Sequence, residues 1–333
     1  MSKVPLDESI SVVIVNWNAG ECLRACLHSL SSASSRLMPK EVLVVDNASS
    51  DGSVEMIKRE FPHVHVIGTG GNLGFSKAAN IGIKMSAGEY ICLVNPDVIV
   101  GNGCIDTLVS HMNSRPRTAI AGPRLLYPNG RVQRTCASSP TLREYLLHAI
   151  GLGMLVHAQV DMRIVAHMAV STEVDALYGS FWIVRRKAIE SVGQLDEQFF
   201  LYFEDLDWCQ RFRAAGWKVE YVPTAEAVHV GGACSNSVST RCFLYGCASQ
   251  MFFFEKYHTC CYTASVAIAT LLYYVFRSAY WGVHFILRRS ERKRLGPALK
   301  NGLSGSRWFL RYLLTQNKSV HAFWPWKLPE AGS

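Results

Sequence analysis

The residues of this chain best suited to chemistry fall in three places. The first is the run Glu89-Tyr90-Ile91-Cys92-Leu93-Val94-Asn95-Pro96-Asp97-Val98, an apolar strand that ends in a polar tip. Pro96 lacks the N–H that a central strand needs, so the strand stops there and Asp97 is held outward at the end of a sheet. In open α/β sheets, ligands bind in the crevice beyond the strand carboxyl ends. A carboxylate there suits a divalent cation that holds a diphosphate. Taken alone, a strand-ending turn in which Asp97 only caps the next segment explains the tip equally well. The second place is Glu204-Asp205-Leu206-Asp207, which opens a helical pattern that closes with Arg211, Arg213 and Gly216. Macrodipole complementarity accounts for one or two of these acids. Three of them after the aromatic loop Phe199-Phe200-Leu201-Tyr202-Phe203 suggest a carboxylate kept ionised at a helix N-terminus, as a general base must be. The third place is His229, a lone histidine in the apolar stretch Ala227-Val228-His229-Val230. A satisfied core residue is the simpler reading there, with metal ligation the alternative.

The elements that must position these groups alternate. Ile10–Asn16, Glu41–Asp46, His63–Ile67 and the strand ending at Asn95 are short β-branched runs of the kind found in buried parallel strands. Helical patterns follow the first three, through Leu23, Leu27 and Leu30, over Val54 to Arg59, and over Ser76 to Ser86. Such alternation predicts βαβ units in an α/β fold, a mostly parallel sheet flanked by helices. The turn Gly70-Gly71-Asn72-Leu73-Gly74 lacks the G-x-G-x-x-G spacing of a dinucleotide fingerprint. Its glycines would still bring backbone close to an anion at a helix N-terminus. Farther on, the pattern predicts a helix over Ile105 to Met112, a strand near Thr118–Ala121, and a turn-rich ribbon containing Pro123, Pro128, Asn129 and Gly130. The region from Ser138 to Thr172 reads as helical in places or as a loop. Val174–Val184 reads as strand, glycine turn, strand, and Trp217–Val222 as an edge-like strand.

At 333 residues and 49% hydrophobic, the chain is long enough for a full core plus an appendage. Its net charge of +8 favours an anionic partner. No basic-aromatic or helix-turn-helix pattern stands out, so nucleic acid is not expected, and a phosphorylated substrate or a membrane surface remains. Eleven cysteines without a C-x-x-C pair argue for reduced thiols rather than a disulfide framework or zinc site. Cys22 and Cys26 share a helix face and are expected to pack. Met1–Pro5 lacks the apolar run of a signal peptide, so a cytoplasmic location is expected.

The order of Val15-Asn16-Trp17-Asn18, Val45–Ser53, Asn72-Leu73-Gly74-Phe75, Asn95-Pro96-Asp97, Glu204–Asp207 and His229 resembles the inverting family-2 glycosyltransferases of GT-A (Rossmann-like) fold. Among these it is most similar to the bacterial rhamnosyltransferase type. The resemblance covers roughly residues 8 to 258, and six motifs in order are far more specific than any one. It implies that Asn16 and Asp46 line the nucleotide base pocket with Asp51 close by, and that Asn72 and Gly74 lie near the nucleotide and diphosphate. It also implies that Asp97 is the last acid of a D-x-D motif, that Asp205 is the catalytic base with Glu204 and Asp207 as supports, and that His229 is a further metal ligand. Asn95 stands where many relatives carry the first acid. The site therefore has one negative charge fewer and would lean more on diphosphate oxygens to hold Mn2+ or Mg2+. The partners implied are a dTDP- or UDP-sugar donor, with a rhamnose-type deoxyhexose favoured, and a glycan or polyprenyl-linked saccharide acceptor of cell-surface polysaccharide synthesis.

Residues 259–333 are expected to form a separate helical region. Thr259 to Phe276 is uncharged and mostly apolar; Arg277 interrupts it before a second apolar run, Ala279 to Leu287, and the basic cluster Arg288–Arg294. Tyrosines, Trp281 and the basic cluster suit a helix lying in the interface of an anionic leaflet, peripheral at the inner membrane face. Trp308–Leu314 is amphipathic and could join that surface. The alternatives are a full span, a packing helix or a contact between copies in a homo-oligomer. Two other functions compete. One is a catalytically degenerate nucleotide- or glycan-binding protein of the same fold, with Asn95 as its sign. The other is a nucleotidyltransferase, which would need a basic residue over the α-phosphate that the sequence does not offer.

Overall fold

The computed structural model describes residues 9–32, 36–37, 39–153, 170–231 and 239–315. Met1–Pro5 and residues 154–169 of the ambiguous region lie outside the described residues. The first half alternates as the sequence predicts: β1 (Ile10–Asn16), α1 (Gly20–Ser32), β2 (Glu41–Asp46), α2 (Ser53–Glu60), β3 (His65–Gly68), α3 (Phe75–Met85) and β4 (Tyr90–Val94). These strands are parallel. Asn16 pairs with Asp46 and Asp46 with Gly68, while β4 lies on the other side of β1 with Val13 opposite Leu93. The strand order therefore reverses at β1, and in open α/β sheets such a reversal marks the strand carboxyl ends beyond which ligands bind.

The second half adds β5 (Val98–Val100), α4 (Cys104–Ser114), β6 (Thr118–Leu126), β7 (Cys136–Ala137), α5 (Leu142–Ala149), β8 (Thr172–Glu173), β9 (Ala176–Leu177), β10 (Phe181–Arg185), α6 (Arg186–Val192), α7 (Glu204–Ala214) and β11 (Lys218–His229). Among the described residues the main sheet runs β3-β2-β1-β4-β10-β6-β11-β5. β10 enters antiparallel between β4 and β6. Two expectations need correction. β6 runs on through Pro123 to Leu126, and the strand expected at the edge over Trp217–Val222 is internal. β11 continues to His229 and pairs with β6, β5 and β8. A register shift between Val222 and Glu226 absorbs Pro223, which would otherwise break a central strand.

Apolar cores cover both faces of the sheet. Leu23, Leu27, Ile57 and Leu108 pack under one, and Ala79, Ile83, Ile189, Trp208 and Phe212 under the other. Close helix–strand contact on the second face depends on Gly82, where a Cβ would sit 2.3 Å from a Val13 methyl. The buried Arg185 fastens four elements: its guanidinium donates to Thr118 O at 3.1 Å, the Tyr90 hydroxyl at 2.9 Å and Met112 O at 2.8 Å.

A second compact unit consists of α5, residues 201–203 and three C-terminal helices: α8 (Ser239–Tyr257), α9 (Cys260–Leu287) and α10 (Arg292–Leu314). On this grouping the helical part starts before residue 259, because α8 belongs with α9 and α10. A Thr141–Glu144 capping box starts α5, and the Tyr262 hydroxyl accepts from Leu142 N at 2.7 Å. Arg277 does not interrupt α9, which is one helix of 28 residues and is long and apolar enough to cross a bilayer. The Arg277 guanidinium turns back to the Tyr273 hydroxyl at 2.6 Å, which keeps the charge off the apolar face. Ile268, Leu272, Val275, Phe276, Val283 and Ile286 are exposed at three- and four-residue spacing.

Candidate active site

The loops beyond β1 and β2 are built from short polar side chains that tie to one another. Asn16 is fully buried, and its amide nitrogen lies 2.8 Å from Asp46 Oδ1, 2.9 Å from Ser53 Oγ and 3.0 Å from Ser49 Oγ. Asp46 accepts a second bond from Ser49 N at 3.0 Å. Asn16 Oδ1 is buried without a hydrogen-bond partner among the described residues. Such a group is costly unless something bonds to it. Asp51 accepts from Gly20 N at 2.9 Å and from Ser53 N and Oγ. Burial pushes its carboxyl up, but these bonds more than offset that, and it lies below the ordinary aspartate range.

The glycine turn is held from both sides. Asn72 Oδ1 accepts from Gly74 N at 3.0 Å, and the Asn47 amide spans the turn by accepting from Leu73 N and donating to Gly74 O. Gly74 has φ +82°, and a Cβ there would sit 2.5 Å from the Phe200 carbonyl oxygen. That oxygen accepts from Phe75 N at 2.7 Å, so the aromatic loop closes on the start of α3. Only glycine meets both demands.

At the tip of β4, Asn95 is half-buried. Its N–H donates to Ser180 O at 2.9 Å and its carbonyl lies 3.7 Å from Cys26 Sγ, a thiol that burial holds protonated. Asp97 is buried next to His229, with Oδ1 3.3 Å from Nε2. The sheet dictates this meeting: His229 is in register with Val98, and Val230 N donates to Asp97 O at 3.0 Å. Among the described residues no group of three metal-binding side chains forms. A carboxylate and an imidazole are both ligand types that Mn2+ or Mg2+ accepts, so the pair fits a divalent cation.

The acids of α7 are more buried than a surface helix start would leave them. Asp205 Oδ1 accepts from Leu206 N at 2.8 Å, and Oδ2 lies 3.4 Å from Gly179 N. Burial pushes its carboxyl up to about 6, against the pull of those bonds. The ionised state expected from its place at the helix N-terminus is therefore only partly protected. Burial, and then the Asp205 charge, pushes Glu204 well above the usual range, and its Oε2 has no hydrogen-bond partner among the described residues. Asp207 is fully buried and paired with Arg211 at 2.8 Å, and Arg211 also donates to the carbonyls of Val192 and Gln194. Phe199 and Trp208 are wholly buried. All four non-glycine residues with positive φ among those described lie in or next to these motifs: Asn18 (52°), Ala48 (63°), Tyr202 (67°) and Phe203 (65°). Such conformations cost about 1–3 kcal/mol each and cluster at functional sites.

Comparison with known proteins decides the family. The model of glycosyl transferase family 2 matches residues 11–193. This chain is a family-2 glycosyltransferase. It is 34% identical to N-acetylglucosaminyl-diphospho-decaprenol L-rhamnosyltransferase of Mycobacterium tuberculosis, over 67% of this chain and 76% of the relative. It is 26% identical to the dTDP-rhamnosyl transferase RfbF of Shigella flexneri, over 68% of this chain and 71% of that one. Among solved structures it is similar to a mannosyltransferase from Pyrobaculum calidifontis in complex with GDP-Man and Mn2+, with 12% identity, 93% and 88% coverage and a TM-score of 0.53. It is also similar to GalNAc-T7 with UDP, GalNAc and Mn2+, with 17% identity, 95% and 59% coverage and a TM-score of 0.55. The fold is GT-A.

Two residues of this glycosyltransferase escaped the sequence reading. Asn47 spans the glycine turn, and Gln133 bonds to His229. Asn47 lies inside a motif and could have been singled out. Gln133 follows a turn in a ribbon where glutamine is ordinarily solvated, and nothing in the sequence marks it. Gly74→Ala is expected to lower the unfolding free energy by about 1–3 kcal/mol, because it places a Cβ at a left-handed φ and against the Phe200 carbonyl. Urea denaturation checks this; an unchanged midpoint contradicts the constraint.

Proposed function

We propose that this glycosyltransferase moves a rhamnose-type deoxyhexose from a dTDP-sugar to a glycan or polyprenyl-linked saccharide, with inversion at the anomeric carbon, in the synthesis of cell-surface polysaccharide. The observation that carries the reading is the short connection between the two ends of the site. Asn95 of the Asp97 tip bonds to Ser180, and the adjacent Gly179 N–H approaches Asp205. A carboxylate able to take a proton near neutral pH is thus tied to the strand end that carries the Asp97–His229 pair. The names of the two rhamnosyltransferase relatives support the donor and the lipid-linked acceptor.

In this reading Asn16, Asp46 and Asp51 frame the base and ribose end. Asn72 and Gly74 set the turn that brings the positive end of α3 to the diphosphate. Asp97 and His229 would hold Mn2+ or Mg2+, which when bound neutralises charge on the leaving nucleoside diphosphate. Asp205 takes the proton of an acceptor hydroxyl. That oxygen bonds to the anomeric carbon, the carbon–oxygen bond to the diphosphate breaks with its electron pair, and the configuration inverts. Glu204, held neutral by burial, leaves the ionised form to Asp205. Asp207 and Arg211 anchor the helix that presents both. A UDP-hexose donor is the alternative within the same class, and Asn95 is the feature that favours a binding protein without catalysis.

The exposed apolar face of α9, followed by Arg288, Arg292 and Lys293, suits peripheral docking on an anionic inner leaflet, where a polyprenyl-linked acceptor presents its sugar.

Asp205→Asn is expected to reduce transfer about 10²–10⁴-fold with nucleotide binding intact. A base must be ionised, so wild-type kcat/KM should rise as pH climbs through about 6 and then level. Unchanged transfer in the variant, or a profile flat across that range, would contradict the assignment of the base. Val283→Asp with Ile286→Asp is expected to abolish co-sedimentation with phosphatidylglycerol vesicles that the wild type binds. Equal sedimentation of both proteins would remove α9 from the docking surface.

A further inference from the structure

The ribbon after β6 contributes a side chain that none of these roles includes. Gln133 is buried, and its amide engages His229 twice. Nε2 donates to the His229 carbonyl oxygen at 2.6 Å, and Oε1 lies 2.8 Å from Nδ1. A main-chain carbonyl only accepts, so the first bond turns the NH2 group toward it and leaves Oε1 facing the ring. Oε1 also only accepts, so Nδ1 must carry the hydrogen. In the neutral ring the acceptor nitrogen is then Nε2, the atom 3.3 Å from Asp97 Oδ1. A carboxylate oxygen and an imidazole lone pair turned to one another form a set that a divalent cation satisfies.

We propose that Gln133 is the positioning residue of this pair: it holds His229 as the Nδ1–H tautomer and so points Nε2, beside Asp97, at the metal. The inference rests on Asp97 and His229 being metal ligands. The scaffold suits the task, because Gln133 N donates to Leu125 O of β6 at 2.8 Å and β6 pairs with β11, the strand that ends at His229. Ligand and orienting group are thereby fixed to adjacent strands. Partners that hold the far nitrogen of a metal-binding histidine ordinarily change metal affinity 10- to 100-fold when lost.

The test is titration of the whole protein with Mn2+ in the presence of UDP and, separately, dTDP, followed by loss of the free Mn2+ electron-paramagnetic signal. Gln133→Leu should raise the Mn2+ Kd at least about 10-fold, with thermal stability and metal-free nucleotide affinity near wild type. Gln133→Glu keeps an acceptor toward Nδ1 and should stay within about threefold of wild type. In a His229→Ala background, Gln133→Leu should add nothing. If Gln133→Leu leaves Kd unchanged while His229→Ala weakens it, the role of Gln133 is overturned. It is also overturned if Gln133→Glu is as poor as Gln133→Leu, since only the bond to the His229 main chain would then matter. If His229→Ala has no effect, the metal reading beneath the inference fails instead.

Discussion

The site depends on one strand running against its neighbours. β10 lies antiparallel between β4 and β6, so the turn that starts it, Tyr178-Gly179-Ser180, lies at the same edge as the carboxyl end of β4. The bond from Asn95 N to Ser180 O joins the two there at 2.9 Å. Gly179 then offers its N–H to Asp205, and a Cβ added at Gly179 would sit 3.3 Å from the Trp182 ring, so a larger residue would crowd the indole. Were β10 parallel, its start would fall at the opposite edge of the sheet, and the acid of α7 would have no link to the tip of β4.

Burial sets the character of the acids in different ways. Asp207 is fully enclosed but meets Arg211, so its charge is compensated and the pair fastens α7 to the carbonyls of Val192 and Gln194. Among the described residues no cation hydrogen-bonds to Glu204 or Asp205, and desolvation raises both. One helical turn thus carries an ion-paired Asp207, a Glu204 raised well above the usual range and an Asp205 raised to about 6.

Much of this was legible because the motifs end strands. Buried β-branched runs identify β1, β2 and β4, and polar residues that stop them must lie at one edge of the sheet. What the sequence concealed has physical causes. Pro223 splits the pattern of β11, and only the bulge that accommodates it shows a continuous strand leading to His229. Arg277 reads as a break in an apolar run, yet its long side chain reaches the Tyr273 hydroxyl and α9 passes through. Burial raises Asp205 against its place at a helix N-terminus, and burial is something the chain alone does not display. His229 appeared as a lone histidine because its partners, Asp97 and Gln133, are more than ninety residues distant in the chain.

In the proposed function the carboxyl edge of this sheet binds a nucleoside diphosphate sugar with the help of a cation at Asp97 and His229. Thermal unfolding of the whole protein with a dTDP-sugar or a UDP-sugar, with and without Mn2+, tests it most directly, because a ligand that binds only the folded state raises its apparent stability. A rise of several degrees is expected with sugar nucleotide and Mn2+ together, and a smaller rise with the nucleotide alone. An unfolding temperature that none of these ligands moves at saturating concentration would contradict it.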